Sequence, residues 1–315
     1  MTDYSEFHDE LRSVAGDLLA KDRDVDWSVL VDAGWVGLEV PEEFGGAAAT
    51  FAETAVVCEE IGRAASANSY LGSAVLTVGT LNALQPNAVR DKLLSDVASG
   101  TARVAVALES EFVPDAEGAD TVLVVTATGV AVTTPTVTSQ PVLDETRRLA
   151  TVTAADSDDV LAFTGDPAAA IGRLHNRAAI AVACDSLGLS EAMLSATVGY
   201  AKVRQQFGRP IGSFQAVKHA CADMLVDIAV SRQLVGAAIQ AIVDDQPDAD
   251  VATAMAKSHA CAKAVDIAGK AMQLHGGIGY TWESGIHVYL KRAALNRSLF
   301  GSPAAHRKHL AQRYL

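Results

Sequence analysis

Tyr200 to Met224 reads YAKVRQQFGRPIGSFQAVKHACADM, a helical pattern that breaks at a Gly-Pro-Gly loop and then resumes. Arg204 and Arg209 bring guanidinium forks to that loop, and Gly208 and Gly212 allow a ligand to come close to the backbone. This combination suits an anionic cofactor. Further on, QLHGGIGY, Gln273 to Tyr280, ends another helical pattern at the pair Gly276-Gly277. Beside the pair stand Gln273 and His275, two side chains able to hydrogen-bond a phosphate or a heterocycle. Taken singly, the glycine pair reads as a helix stop and Arg204 as a solvated surface charge. Taken together, the two motifs point to a binding site.

Arg-Gln-Gln-Phe-Gly-Arg-Pro-Ile, then Phe-Gln-Ala, then Gln-Leu-His-Gly-Gly-Ile-Gly-Tyr, in that order and spacing, resembles the C-terminal half of the acyl-CoA dehydrogenase family of flavoenzymes. The resemblance implies FAD as cofactor, an acyl-CoA thioester as substrate and an electron-transfer acceptor as a partner. In that family the arginine and phenylalanine of RxxFG and the glutamine and glycines of QxxGG hold the FAD of a neighbouring subunit. The matching positions are Arg204, Phe207, Gln273, Gly276 and Gly277, with Gln215 a weaker candidate.

At 315 residues, half of them apolar, the chain is long enough for a large core and more than one domain. Its net charge of −13 and the lack of a basic stripe interleaved with aromatics set nucleic acid aside as a partner. The N-terminus carries acids early and is periodic rather than continuously apolar, unlike a secretory signal or a transit peptide. No uninterrupted apolar run approaches the ~20 residues of a membrane span. The expectation is a soluble, cytoplasmic protein without a membrane partner. Cys58, Cys184, Cys221 and Cys261 are scattered through alanine-rich helical patterns, without CxxC spacing, and read as buried small hydrophobes. No Glu-x-x-His pair marks a di-iron bundle, so no metal is expected. His219 and Asp223 share a helical face at i, i+4 and read as a surface interaction.

In chain order, apolar residues from Tyr4 to about Lys21 fall at helical spacing. Asp26 to Gly46 then begins with a possible Asp cap, puts Gly34 at a helix end and passes through Pro41 into a Gly45-Gly46 turn. Helices are expected over about Ala52 to Gly62 and Ser73 to Leu84. Gly34-Trp35, Pro41 to Gly46 and Glu59 to Arg63 resemble the family's N-terminal helical domain and read as packing and turn residues. From about Gly100 alternation replaces the helical period, with β-rich runs at Arg103 to Leu108, Thr121 to Val125, Val130 to Thr138 and Arg148 to Val152. From about Pro167 the pattern is helical again: Ala178 to Lys202, Phe214 to about Val243, Val251 to His275, about Glu283 to Leu295, and Pro303 to Arg313. Met193, Met224, Met255 and Met272 on these helices read as core filler. The expected fold is mainly α with a small central β domain: an N-terminal helical domain (1–102), a shortened middle β domain (103–166) and a C-terminal antiparallel helix bundle (167–315).

The middle domain departs from the family pattern. The family opens this domain with a Thr-Glu-Pro-x-x-Gly-Ser-Asp segment against the flavin ring and covers the ring's other side with a Trp-Ile-Thr-like segment. Here the chain runs from Ala107-Leu108-Glu109-Ser110 through an acidic loop to Ala119-Asp120, and no tryptophan lies between Trp35 and Trp282. The family reaction also needs a carboxylate within reach of the substrate α-carbon. Its usual position falls in Leu299-Phe300-Gly301-Ser302-Pro303, which holds no acid, and its minority position falls at Ala178, beside Arg177. Asp185, two turns beyond Ala178 on about the same face, is a candidate base. Glu283 reads as a first-turn acid favoured by the helix dipole.

Three arrangements follow. The chain is a short subunit of a hetero-oligomeric acyl-CoA dehydrogenase, resembling the unequal subunits of bacterial steroid degradation, and lends its clamp residues to a partner that carries the base. Alternatively it is a self-sufficient homo-oligomer with an unusual base, or a catalytically silent helical scaffold.

Overall fold

The protein is described here by a computed structural model covering residues 5–153 and 160–313. Five helices come first: α1 (Ser5–Leu19), α2 (Trp27–Asp32), α3 (Phe51–Ala64), α4 (Thr77–Asn82) and α5 (Ala88–Ala98). The first helical run was expected from Tyr4, which lies outside the described residues. The start of α3 is fixed by a capping box in which Ala52 N donates to Thr50 Oγ1 (3.1 Å) and Thr50 N to Glu53 Oε2 (2.7 Å). Asp26 precedes α2 but its carboxylate caps nothing; Val29 N and Leu30 N bond instead to its backbone carbonyl. The helix expected over Ser73 to Leu84 is split, because Leu71–Leu76 widens into a π turn before α4 begins. Thr77 Oγ1 donates there to the carbonyls of both Gly72 and Val104, an insertion of the kind that disrupts an α ladder. The sequence reading did not name α5, whose start is set by the Asn87 side chain accepting from Val89 N and Arg90 N.

Among the described residues seven strands follow. β1 (Val104–Ala107), β3 (Thr121–Val125), β4 (Gly129–Thr133) and β7 (Val160–Ala162) form one sheet in the order β1-β3-β4-β7, with β1 and β3 parallel. β2 (Val113–Pro114), β6 (Leu149–Thr153) and β5 (Thr136–Ser139) form the other, in the order β2-β6-β5. The run expected over Val130 to Thr138 is therefore two strands in different sheets. Alternation along β1 explains how the two layers meet. Val104 and Val106 face the main core, while Ala105 and Ala107 join Val113, Val122, Ala150 and Val152 in a small core between the sheets.

The remainder is helical: α6 (Pro167–Val203), the hairpin β8 (Gln205–Gln206) and β9 (Arg209–Pro210), α7 (Gln215–Val243), α8 (Ala249–His275), α9 (Ile286–Ser298) and α10 (Pro303–Gln312). α6 starts well before Ala178, with Asp166 accepting from Ala169 N and Pro167 in the first turn. It is the axis of the molecule, packed by α3, α7 and α8. Two glycines make the closest of these contacts possible: a Cβ on Gly62 would overlap the Asp185 carbonyl, and one on Gly188 the Glu59 carbonyl.

Two expectations about burial, those for the methionines and the cysteines, need correction. By length and composition α6 and α7 could each cross a membrane. For α6 this reflects an alanine-rich core helix that is mostly buried, whereas α7 leaves Leu225, Val226 and Val230 exposed. Of the methionines, Met193 and Met224 are core residues, but Met255 faces outward with 43% exposure. Cys58, Cys184 and Cys261 are buried free thiols, and Cys221 is partly exposed.

Candidate functional site

α6 and α8 pack directly on each other and run in the same sense, because α7 comes between them in the chain and returns antiparallel, so both end on one side of the bundle, where α7 begins. Arg204 closes α6, Gln215 opens α7, and Gln273 lies in the last turn of α8. Tyr200 stacks on the buried His275 ring at 4.4 Å, and His275 Nδ1 bonds to Ala271 O at 2.8 Å. This stack joins the two loops that the sequence motifs singled out.

Beyond Arg204 the chain makes a two-residue hairpin in which Phe207 (φ 53°) and Gly208 (φ 75°) both take left-handed backbone. A phenylalanine in that conformation is strained, and this one is 92% exposed. It meets Phe214 edge-on at 6.1 Å, and the Arg209 guanidinium lies over the Phe214 ring at 4.2 Å. Arg204 is exposed and has no ion-pair or hydrogen-bonding partner for its guanidinium among the described residues. On the other side Gly276 turns at φ 62°, Gln273 is exposed and loosely held by Lys270, and Tyr280 and Trp282 are each 73% exposed. An unpaired guanidinium, open glycine backbone and aromatic faces fit the pyrophosphate and adenine of a dinucleotide such as FAD. Gln215 reaches His219 (3.4 Å), so His219 meets Gln215 rather than Asp223 as expected.

The candidate base Asp185 is a structural residue. Its Oδ1 accepts from Arg292 Nε (2.9 Å) and Asn296 Nδ2 (2.7 Å), and its Oδ2 from Arg292 Nη2 (2.6 Å) and Arg147 Nη2 (2.9 Å). Burial works to raise its carboxyl, and the Arg292 and Arg147 guanidiniums override that and hold it below the ordinary carboxylate range. Both oxygens are engaged, leaving no lone pair directed at a substrate. Arg292 also donates to Ser66 O and Thr146 Oγ1, so this cluster locks the N-terminal helices, the β region and α6 together. Ala178 is fully buried, and Arg177 beside it is paired with Glu39 and donates to Val75 O. Glu283 sits in an exposed 3₁₀ turn before α9.

The two segments that differ from the family pattern meet across a cavity of about 160 Å³. One wall is Val106, Leu108, Val113 and Pro114; the other is Leu295, Leu299 and Phe300. The loop that carries no acid is nevertheless held firmly. The buried Lys257 donates to Asn296 O (2.8 Å) and Gly301 O (3.0 Å), and His306 Nε2 meets Phe300 O (3.0 Å). Sequence reasoning missed Lys257, since an isolated lysine on a helix reads as solvated. It also missed Arg292 and Asn296, whose roles depend on a carboxylate on another helix. The cavity is smaller than the ~300–1,000 Å³ of ligand pockets, and the exposed Glu109 and Glu111 at its edge oppose an anionic cofactor. A flavin ring does not fit these residues.

Comparison with known proteins agrees with the motifs. Residues 168–315 match the family description acyl-CoA dehydrogenase, C-terminal domain, and residues 6–101 match acyl-CoA dehydrogenase, N-terminal domain. The chain is 39% identical over 292 residues to acyl-CoA dehydrogenase IpdE2 of Mycobacterium tuberculosis, covering 90% of this chain and 86% of that one. It is 32% identical over 286 residues to acyl-CoA dehydrogenase FadE34 of the same organism, covering 84% of this chain but 38% of that longer one. Among solved structures, a variant of the Tcur3481-Tcur3483 steroid ACAD superposes with a TM-score of 0.87 at 25% identity, covering 98% of each chain.

Proposed function

The chain belongs to the acyl-CoA dehydrogenase family, FAD-dependent oxidoreductases acting on CH–CH bonds, and from that premise we propose that it is the base-less subunit of a hetero-oligomeric member. In this reading it lends Arg204, Phe207, Gln273, Gly276 and Gly277, with Gln215 nearby, to the FAD of a partner acyl-CoA dehydrogenase subunit. The partner supplies the ring pocket and the carboxylate for α,β-dehydrogenation of an acyl-CoA, with FAD as hydride acceptor. The complex works as a soluble, cytoplasmic assembly that passes its electrons to an electron-transfer acceptor.

The carrying observation is an asymmetry within one chain. Arg204 has no partner for its guanidinium among the described residues and the other clamp residues are exposed, while the cavity between Leu108 and Phe300 is small and acid-rimmed and neither expected base position holds an acid. Two relatives support a paired arrangement. The steroid ACAD is named for two components, and FadE34 contains a match to this chain within a much longer polypeptide. A self-sufficient enzyme using Asp185 loses its ground, because that carboxylate is enclosed by two guanidiniums and an amide.

The test is the flavin absorbance of the chain expressed alone and co-expressed with its genomic neighbour. Flavin is expected only in the copurified complex. Stoichiometric FAD and acyl-CoA oxidation by the chain alone would overturn the reading. Arg204→Ala in the complex separates a clamp from a scaffold, because only a clamp loses FAD.

A further inference from the structure

The cavity between β1–β2 and the α9–α10 loop is too small for a flavin ring, yet it is built with care. Its two aromatic neighbours, Phe112 and Phe300, both have φ 56°, a conformation that bulky residues avoid unless the surroundings impose it. The surroundings do impose it. Phe112 N donates to Gln140 Oε1 (2.9 Å), Phe300 O is met by His306 Nε2 (3.0 Å), and the next carbonyl, Gly301 O, accepts from the buried Lys257 (3.0 Å). Two of these contacts hold the shape of the α9–α10 loop, which carries no catalytic acid, and the third fixes the facing segment just before β2.

These same contacts use up polar backbone groups near the cavity. What faces inward is the apolar set Val106, Leu108, Val113, Leu295, Leu299 and Phe300. At 160 Å³ the space is close to the roughly 150 Å³ of an engineered apolar cavity that takes up benzene, so it suits one six-membered ring. The edge is different in character. Glu109, Glu111 and Ser298 are exposed there, a set of hydrogen-bond acceptors with negative charge and no cation among the lining residues. Such an edge repels a carboxylate or a CoA phosphate and welcomes a hydroxyl hydrogen.

We propose that this pocket binds a compact, uncharged ring-bearing alcohol, with the ring against Leu108, Leu299 and Phe300 and the hydroxyl directed to Glu109 or Glu111. The site is separate from the clamp loops and needs neither FAD nor a partner.

Calorimetric titration of the full-length chain without partner tests this, with cyclohexanol as probe and cyclohexanecarboxylate as its charged counterpart. Cyclohexanol is expected to bind saturably at one site. The carboxylate should bind at least about tenfold more weakly, the size of one or two carboxylate repulsions at a protein surface. Leu108→Trp, which fills the cavity from a partly exposed position, should abolish alcohol binding while the circular dichroism spectrum is unchanged. Neutralising the edge with Glu109→Gln and Glu111→Gln, both exposed and safe for folding, should bring the two probes within about threefold. The proposal is overturned by the absence of saturable cyclohexanol binding, by equal binding of the two probes to the native chain, or by a folded Leu108→Trp that still binds. If Leu108→Trp does not fold, the double variant decides: an unchanged preference overturns the proposal. Because the titration involves no flavin, its result is independent of the shared-cofactor reading.

Discussion

Arginines occupy two opposite circumstances in this molecule. Arg292 is buried at the junction of three parts of the chain, with Asp185, Ser66 O and Thr146 around its guanidinium. Arg204 stands at the exposed end of α6 with no partner for its side chain among the described residues. A buried guanidinium needs a counter-charge, because desolvation is costly and the low dielectric strengthens the pairing. An exposed one is stable alone and stays available for an anion. The junction is therefore architecture, and the open loops are where the chain has binding capacity to spare.

The sharpest way to break this contrast is at the junction. Asp185→Ala would leave Arg292 and Arg147 as uncompensated buried charges, and a loss of about 3–5 kcal/mol in urea unfolding is expected. A variant of native stability would mean that the cluster does not hold the domains together.

Asp115 sharpens the picture, since it is a buried carboxylate without a close ion pair among the described residues. Burial pushes its pKa up from 3.8 to about 6, against the Gly72 N–H that bonds to Oδ2 at 2.8 Å. The folded state thus holds this proton more tightly than the unfolded chain. The resulting stabilisation is present below the unfolded pKa and is lost as pH rises through about 6. Asp115→Asn, whose amide oxygen can still accept from Gly72, should therefore be the more stable protein at neutral pH, on the order of 1–3 kcal/mol. The advantage should vanish at about pH 4 in the same unfolding measurement. A constant difference across that range would assign the effect to packing.

At the open loops stability should hardly move. Arg204→Ala is expected to leave chain unfolding within about 0.5 kcal/mol of native. In the partner complex it should weaken FAD retention by about tenfold or more, the worth of a charge-assisted hydrogen bond. A large stability loss with FAD retained would reverse the roles given to the two arginines. The smallest effect is expected for Phe207→Ala, a removal of exposed aromatic surface. It should be neutral for unfolding and cost about threefold to tenfold in FAD retention, as for one lost aromatic contact.

The proposed clamp could be read from the sequence because its parts are local. RQQFG and QLHGG are contiguous, and the turn, the helix ends and the exposure follow from a few neighbouring residues. The same is true of the long C-terminal helices, whose period survives over many turns. Alternation located the main strands but not their sheets, since nothing local separates Gly129–Thr133 from Thr136–Ser139. The Asp26 and Asp185 readings failed for related reasons. A cap residue and an acid were each recognised by type, but the backbone carbonyl replaced the first as acceptor and distant guanidiniums claimed the second.

By itself the sequence determined the family and the mainly α architecture and marked the residues proposed as an anion-friendly clamp, all of which rest on short-range pattern. Only the tertiary structure decided that Asp185 is a structural counter-ion, because its partners Arg147, Arg292 and Asn296 lie 38, 107 and 111 residues away. Only the tertiary structure, again, decided that Lys257 is buried beneath the Phe300 loop and that the space above that loop is a small apolar pocket. Charge pairing and cavity shape depend on which distant segments come together, and no local pattern encodes that.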